Sequence, residues 1–244
     1  MTTIIASPNL FIAGDAMWTS QVSGLEVKCE TRKHVVCLEQ VIFFSGDEHP
    51  IVLAQAVLLA LISDEEYIQL AQALDERDEI GLIAVTENTG ALIDMPIGNN
   101  ATTGELVFTG SGGFHAATFY QDLDNLPCLL QRIDTAMTMA FHVDEQSGNG
   151  IHKKVWPQRY DNLCYTDTSY REYIGTKIEE YHEFIAEWAS MEGDNMAAQL
   201  PRSTNRTAPA PNAPKATPER MKEILEALRK NQKKQTKNKK KESK

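Results

Sequence analysis

The sequence predicts an α+β fold in which groups of strands and groups of helices pack as layers. Two observations support this class. Short β-branched and apolar runs, bounded by turn residues, occur at the N-terminus and again beyond residue 80. Between them, residues 50–62 place apolar side chains close to a 3.6-residue period, which is typical of a helix. Because strands and helices come in groups, layers are favoured over a strict βαβ repeat.

Turn signals separate the predicted elements. Pro8-Asn9 and Glu39-Gln40 lie between strands, and Asn88-Thr89-Gly90 lies between two runs that we expect to form a hairpin. The predicted strands are residues 2–6, 10–13, 25–29, 33–38, 41–44, 80–85, 91–95 and 106–109, with strand-like residues over 151–165. The predicted helices are residues 50–62, 64–74, 114–122, 126–142 and 169–191.

The composition of the chain changes near residue 195. Residues 1–195 are predicted to form one domain, whereas residues 196–217 are rich in Pro, Ala and Thr and are typical of a linker. Residues 1–200 hold 10 Lys/Arg and 30 Asp/Glu, while residues 201–244 hold 14 and 4. We therefore expect an acidic body that carries a basic C-terminal segment.

Residues 218–244 are predicted to begin with a short amphipathic helix, to about residue 230, and to end in a disordered, lysine-rich tail. The apolar face of this helix is typical of a helix that docks on a protein partner. It is formed by Met221, Ile224, Leu225 and Leu228. Nonspecific contact of the lysines with nucleic acid is a second hypothesis, but without aromatic residues for base stacking, sequence-specific binding is not expected.

Several classes of protein do not fit the composition. The densest apolar stretch, residues 51–62, is too short to cross a bilayer, and no charged segment followed by an apolar run marks a secretory signal. The four cysteines lack the spacing of metal ligands and are expected to be reduced and mostly buried. We expect a cytoplasmic protein that uses no metal or cofactor and does not contact a membrane.

Thr2 is the first candidate for chemistry. Because Thr2 is small, an aminopeptidase is expected to remove Met1 and leave threonine at the N-terminus. A threonine hydroxyl is a poor nucleophile, but an N-terminal threonine carries its own base, an α-amine with an unperturbed pKa of about 8. Taken alone, Met-Thr-Thr is an ordinary protein start, so the hypothesis depends on its partners.

Three residues between positions 15 and 46 are candidate partners. Asp15 ends a strand that can pair with the N-terminal strand, and Lys33 opens an apolar strand; together they would lower the cost of forming an alkoxide. Arg32 is an alternative to Lys33. Gly46, at a strand end, can direct its N–H at a developing oxyanion. Each residue has a commoner interpretation as a turn carboxylate, a solvated lysine or a turn glycine.

Two loops supply further candidates. Ser111 lies within Gly-Ser-Gly-Gly, where glycines permit close backbone approach. A phosphate loop is not supported because the Gly-Lys-Ser/Thr continuation is missing. Asp144 and Ser147 are three residues apart in a tight loop and could hydrogen-bond a nearby amine; an Asx-type turn is the commoner interpretation.

Together, these stretches resemble the proteasome β-subunit family of N-terminal-threonine peptidases, and especially its bacterial HslV-type branch. The resemblance covers about residues 2–155. The ordered set of stretches is much more specific than any one of them. They are Thr2-Thr3-Ile4-Ile5-Ala6, Ile12-Ala13-Gly14-Asp15, Lys33 with the strand to Ser45-Gly46, Thr109-Gly110-Ser111-Gly112-Gly113, and Asp144-x-x-Ser147-Gly148.

The resemblance implies a role for each matching residue. Thr2 is the implied nucleophile, with Asp15 and Lys33 setting the electrostatics of its hydroxyl and the Gly46 N–H forming the oxyanion hole. The residues that would hold the amine and a water are Ser111, Asp144 and Ser147. Thr19 matches a backbone position that pairs with an extended substrate chain.

The resemblance also implies a four-layer αββα sandwich, the N-terminal nucleophile hydrolase fold. Members of the family form rings, often stacked in pairs, that receive polypeptides from an ATP-driven unfoldase. The expected function is therefore a threonine endopeptidase in a homo-oligomeric ring. The alternatives are a catalytically inactive ring or scaffold component and an amidohydrolase that cuts a small amide.

Overall fold

The computed structural model describes most of the chain. The described residues are 2–20, 26–27, 32–74, 78–94, 100–145, 147–157, 160–163, 168–191, 205–206 and 215–242. The predictions for Cys29, Met95 and Cys164, and for most of the linker over residues 196–217, lie outside these residues.

The fold is mixed α/β, with twelve strands and six helices in the described part of the chain. The strands are β1 (Ile4–Ser7), β2 (Phe11–Asp15), β3 (Trp18–Ser20), β4 (Glu26–Val27), β5 (His34–Cys37), β6 (Gln40–Gly46), β7 (Ile80–Thr86), β8 (Ala101–Thr103), β9 (Leu106–Thr109), β10 (Ile151–Val155), β11 (Tyr160–Asp161) and β12 (Asn205–Arg206). The helices are α1 (Glu48–Leu58), α2 (Asp64–Ala71), α3 (Gly113–Asp122), α4 (Leu129–Val143), α5 (Thr168–Met191) and α6 (Pro218–Glu242).

Strand β1 lies inside a six-stranded antiparallel sheet of order β11-β10-β2-β1-β9-β8. The β1–β2 turn is tight because Asn9 takes a left-handed conformation, with φ of 62°. The register pairs Ile4 with Gly14 and with Thr109. The end of β2 and the end of β9 therefore flank the residues that precede β1.

Two three-stranded sheets complete the strand pairing. One has the order β5-β6-β7 and carries the predicted Glu39-Gln40 turn between its first two strands. The other has the order β12-β3-β4. Over the described residues 91–94, the predicted partner of β7 forms an isolated bridge between Val85 and Leu92, closed by the turn at Gly90.

Apolar side chains form three core clusters. In the first, Ile5 and Phe11 pack against Ala116 and Met137 of helices α3 and α4. In the second, the opposite face of the large sheet packs against β6 and β7. In the third, the other face of β6 and β7 packs against α1, α2, α5 and α6. The side chains of β-strands alternate between faces, so neighbouring residues on one strand enter different clusters.

The C-terminal segment differs from its prediction in two ways. Helix α6 continues to Glu242, whereas a short helix and a disordered tail were expected. Lysine and glutamine are good helix formers, and no proline or glycine interrupts residues 219–242. The apolar face predicted to dock on a partner is buried in the chain's own third cluster: Met221, Ile224, Leu225 and Leu228 are at most 5% exposed.

Helix α6 is fixed to the domain by polar contacts as well. The Tyr67 hydroxyl donates to the Met221 carbonyl over 2.9 Å, and the Gln40 amide donates to the Leu228 carbonyl over 2.9 Å. No helix in the described part of the chain is long and apolar enough to cross a membrane.

Candidate active site

Thr2 lies two residues before the start of β1 and is fully buried. Its position follows from the sheet, because β1 is held between β2 on one side and β9 on the other. The elements that end near Thr2 therefore come from distant parts of the sequence, and they divide into a charged side and a hydroxyl side.

The charged side consists of Lys33 and Asp15. The Lys33 Nζ donates to the Thr2 Oγ1 over 3.3 Å and to the Asp15 Oδ2 over 2.9 Å. Neither side chain of the Lys33–Asp15 ion pair is exposed. Arg32, the alternative to Lys33, has its guanidinium 5.9 Å from the centre of the Tyr170 ring. It is the lysine that contacts the Thr2 hydroxyl.

Asp15 is oriented by the backbone as well as by the lysine. Its Oδ1 accepts from the Thr3 N–H over 2.9 Å. Its Oδ2 also accepts from the N–H groups of Met17, over 3.3 Å, and Gly148, over 3.4 Å. Because a carboxylate with several charge-assisted hydrogen bonds loses its rotational freedom, Asp15 holds the lysine in one place.

Burial and charge act in opposite directions on Lys33. Burial lowers the pKa of its amine, while the negative charges of Asp15 and Asp144 and the hydrogen bond to Asp15 raise it. The neighbouring His34 is 2% exposed, and burial together with the charges of His152 and Arg32 holds its pKa well below the usual range. His34 is therefore a neutral imidazole at neutral pH.

The hydroxyl side is a network around Asp144, which follows the end of α4. Asp144 Oδ2 accepts from Ser111 Oγ over 2.7 Å and from Ser147 Oγ over 2.8 Å. The Thr3 Oγ1 in turn donates to Ser147 Oγ over 2.9 Å. The tight loop is closed by the Ser147 N–H, which donates to the Asp144 carbonyl over 2.9 Å. The network thus reaches the residue next to Thr2.

Gly112 brings the Gly-Ser-Gly-Gly loop against the same residues. Its N–H donates to the Thr2 carbonyl over 3.2 Å. A Cβ at Gly112 would lie 1.9 Å from the Thr3 Oγ1 and 2.9 Å from Asp144 Oδ2. Only glycine permits this approach, so the loop sequence is required by the site.

Gly46 ends β6 at the same end of the sheets. The hydroxyls of Ser45 and Thr109 are 3.0 Å apart, which joins the end of β6 to the end of β9. Gly46 has a φ of +124°, and a Cβ there would lie 2.1 Å from the Glu79 carbonyl oxygen. The position therefore requires glycine. Its role as an oxyanion donor stays a prediction.

Thr19 lies in the middle of β3. Its backbone is paired with Glu26 of β4 on one edge and with Arg206 of β12 on the other. Both edges of this short strand are therefore occupied by the chain itself. The predicted pairing of Thr19 with a substrate chain requires one of these neighbours to leave.

The structure therefore brings the predicted residues into two groups. Thr2, Asp15 and Lys33 are in direct contact, and so are Ser111, Asp144 and Ser147. Thr3 was not predicted as a site residue, although it links the groups through its N–H to Asp15 and its hydroxyl to Ser147. The repeated threonine was the only signal in the sequence that could have identified it.

The described residues include neither an activated cysteine nucleophile nor a group of side chains arranged to bind a metal ion. Burial and the charge of Glu87 raise the pKa of the Cys37 thiol to about 12, so this side chain is a weak nucleophile. Cys128 is exposed, whereas the four cysteines were expected to be mostly buried. No group of three or more His, Cys, Asp or Glu side chains within the described ranges is arranged to hold a metal ion.

The comparisons with known proteins gave matches to solved structures only. No family model and no curated protein matches the chain. The chain is similar to the eukaryotic HslV from Trypanosoma brucei, at 17% identity and a TM-score of 0.42, over 64% of this chain and 98% of that one.

It is also similar to BPH of Thiobacillus denitrificans in complex with epoxomicin, at 12% identity and a TM-score of 0.39, over 66% of this chain and 100% of that one. A second BPH structure has 14% identity and a TM-score of 0.36, with the same coverage.

Proposed function

We propose that this protein is an N-terminal nucleophile hydrolase that uses Thr2 to cleave peptide bonds. One observation supports this above the others. The buried Lys33 Nζ lies 3.3 Å from the Thr2 hydroxyl and 2.9 Å from the Asp15 carboxylate. A cation held against a hydroxyl lowers the cost of the alkoxide that forms during attack, and Thr2 becomes N-terminal once Met1 is removed.

In the proposed first step, the Thr2 Oγ1 attacks the carbonyl carbon of the substrate amide. The hydroxyl proton passes through a water molecule to the free α-amine of Thr2, which acts as the general base. Lys33 stays protonated and stabilises the oxygen as it loses its proton. The product of this step is a tetrahedral intermediate with a negative oxygen.

The second part of the reaction releases the products. The Gly46 N–H stabilises the tetrahedral oxyanion. The intermediate collapses, the C–N bond breaks, and the leaving amine takes the proton held by the α-amine. Water then attacks the ester on Thr2 Oγ1, with the same amine as base, and releases the acid and the free threonine hydroxyl.

The hydroxyl side has a positioning role in this proposal. Ser111, Asp144 and Ser147 hold Thr3, and Gly112 holds the Thr2 carbonyl, so the main chain at the nucleophile cannot rotate. We infer that their polar groups also orient the α-amine and the water that carries the proton.

The fold and the assembly belong to the same proposal. The three core clusters fit a four-layer αββα sandwich, in which two sheets pack face to face between two layers of helices. We infer a cytoplasmic homo-oligomeric ring, stacked in a pair, that receives unfolded polypeptide from an ATP-driven partner. Native mass measurement tests the ring directly.

Substitution of the nucleophile tests the activity. Thr2→Ala should abolish cleavage of peptide amides, with no change in native mass, because alanine keeps the backbone and lacks the attacking oxygen. Thr2→Ser is the matched control, since it retains a hydroxyl beside an N-terminal amine. Equal turnover by Thr2→Ala and the wild type would overturn the proposal.

A second candidate, hydrolysis of a small amide, is favoured by the pairing of β12 with β3. Because Arg206 pairs with Thr19, an extended substrate has no open edge on β3, whereas a small amide needs none. Replacing both Asn205 and Arg206 by proline removes their N–H donors, while alanine at both positions keeps the backbone pairing. If only the proline variant gains activity on long peptides, the chain is a peptidase that β12 restrains.

A further inference from the structure

The backbone of Glu79 packs directly on Gly46. A Cβ at Gly46 would lie 2.1 Å from the Glu79 carbonyl oxygen and 3.0 Å from the Cα of Ile80. The direction of the Gly46 N–H therefore depends on where the Asp78–Glu79 segment lies. A displacement of this segment would rotate the peptide that is proposed to bind the oxyanion.

Asp47, the residue after Gly46, is hydrogen-bonded to Glu79 through both its main chain and its side chain. Its N–H donates to the Glu79 carbonyl over 2.8 Å, and its Oδ2 accepts from the Glu79 N–H over 2.9 Å. Asp47 is fully buried. Two reciprocal hydrogen bonds between the same pair of residues fix both their distance and their relative orientation.

The C-terminal segment holds Asp78 and Glu79 from the other side. The Ala216 N–H donates to the Asp78 carbonyl over 2.8 Å. The Lys215 Nζ contacts the Glu79 Oε1 at 2.6 Å, and the two residues form an antiparallel bridge. Ala216 is 4% exposed and leads into α6, whose apolar face is in the third core cluster.

We propose that Asp47 is a positioning residue for the Gly46 N–H, and that residues 215–230 support it through Asp78 and Glu79. The inference rests on the proposed function, because it concerns the oxyanion donor of that reaction. It gives the C-terminal helix a role in catalysis at a distance from Thr2. It also explains why a buried carboxylate follows the glycine.

The test compares Asp47→Ala with Asp47→Asn in the full chain. Asp47→Ala should lower kcat about 10²-fold, since a misplacement of about 1 Å in a catalytic group has an effect of that size. KM should change little.

The affinity for a peptide boronate, which forms a tetrahedral anion with the Thr2 hydroxyl, should fall in parallel with kcat. Asp47→Asn should restore most of both, because its amide oxygen still accepts from Glu79.

A second variant tests the support from the C-terminal segment. Ala216→Pro removes the N–H that donates to Asp78, and Ala216→Ser keeps it. Ala216→Pro should lower kcat and boronate affinity in the same direction as Asp47→Ala, by a smaller factor. Undiminished boronate affinity in both Asp47→Ala and Ala216→Pro would overturn the inference.

Hydrogen exchange separates this inference from the proposed function. The amides of residues 46–48 should exchange faster in Asp47→Ala and in Ala216→Pro than in the wild type, whether or not the protein cleaves peptides. Unchanged exchange in both variants would overturn the inference even in an active enzyme. Loss of the proposed function is recognised separately, by equal turnover of Thr2→Ala and the wild type.

Discussion

The two sides of Thr2 are built from different chemistry. On one side, Lys33 and Asp15 form an ion pair with neither side chain exposed. On the other, the hydroxyls of Ser111 and Ser147 surround the carboxylate of Asp144. Removing one member of a buried ion pair costs about 3–5 kcal/mol. A hydrogen bond to a charged group contributes about 1.5–3 kcal/mol.

The difference between the sides indicates a division of roles. The charged side contacts the oxygen that reacts, through the 3.3 Å hydrogen bond from Lys33 to Thr2. The hydroxyl side contacts Thr3 and the loop around Gly112, and so acts on the main chain at the nucleophile. Substitutions on the two sides should therefore differ in size and in which kinetic parameter they change.

The largest effect is expected at Lys33. Lys33→Met should lower kcat by about 10³-fold or more, because it removes the charge beside the developing alkoxide. It should also destabilise the fold by about 3–5 kcal/mol, since Asp15 is left buried and unpaired by its lysine. Steady-state kinetics and thermal unfolding check both effects.

A double variant separates the two consequences of that substitution. Lys33→Met with Asp15→Asn should regain stability without regaining activity, because the uncompensated charge is gone while the catalytic charge is still missing. Lys177→Met is the matched control, since Lys177 is partly exposed on α5 and pairs with Glu180. Recovery of activity in the double variant would contradict the catalytic role of Lys33.

The next effect is a shift in pH dependence. Burial lowers the pKa of Lys33, and the charge of Asp15 opposes that shift. Because the reaction needs the protonated amine, activity should fall as pH rises through this lowered pKa. Asp15→Asn removes the opposing charge, so the alkaline fall in kcat should move to lower pH. If the alkaline fall in kcat of Asp15→Asn occurs at the same pH as in the wild type, or at a higher pH, this account of the charged side is contradicted.

The smallest effects are expected for the two serines. Ser147→Ala should lower kcat more than Ser111→Ala, because the Ser147 hydroxyl bonds both Thr3 and Asp144, while the Ser111 hydroxyl donates to Asp144. The loss in Ser111→Ala should correspond to about one hydrogen bond, or roughly tenfold, and the loss in Ser147→Ala should exceed it. Kinetics of both variants, with Thr118→Ala on the exposed face of α3 as control, measure the order. The reverse order would mean that the network does not act through Thr3.

The local sequence pattern was sufficient to predict elements that are formed by contacts between residues close together in the sequence. The β1–β2 hairpin follows from β-branched runs and a Pro-Asn turn, and α4 and α5 follow from their helical periods. The short strand β8 was missed because its three residues are mostly exposed and carry no alternation. Periodicity identifies an apolar face, and for α6 it did so correctly.

What covers an apolar face is a long-range property. The face of α6 packs on Tyr67, which is 154 positions before Met221, and on the rest of the third cluster, so its sequence alone could not distinguish a partner from the chain's own core. The same limit applies to Thr3 and Asp47. Their contacts depend on strand register and on a loop far along the chain, and neither leaves a local pattern.

Peptide mapping by mass spectrometry tests the central claim most directly. The protein, purified from its expression host, is treated with a peptide electrophile that modifies nucleophilic hydroxyls, then digested and sequenced by fragmentation. The account predicts that Met1 is absent and that the adduct is on Thr2. Retention of Met1, or an adduct on any other residue with Thr2 unmodified, would contradict it.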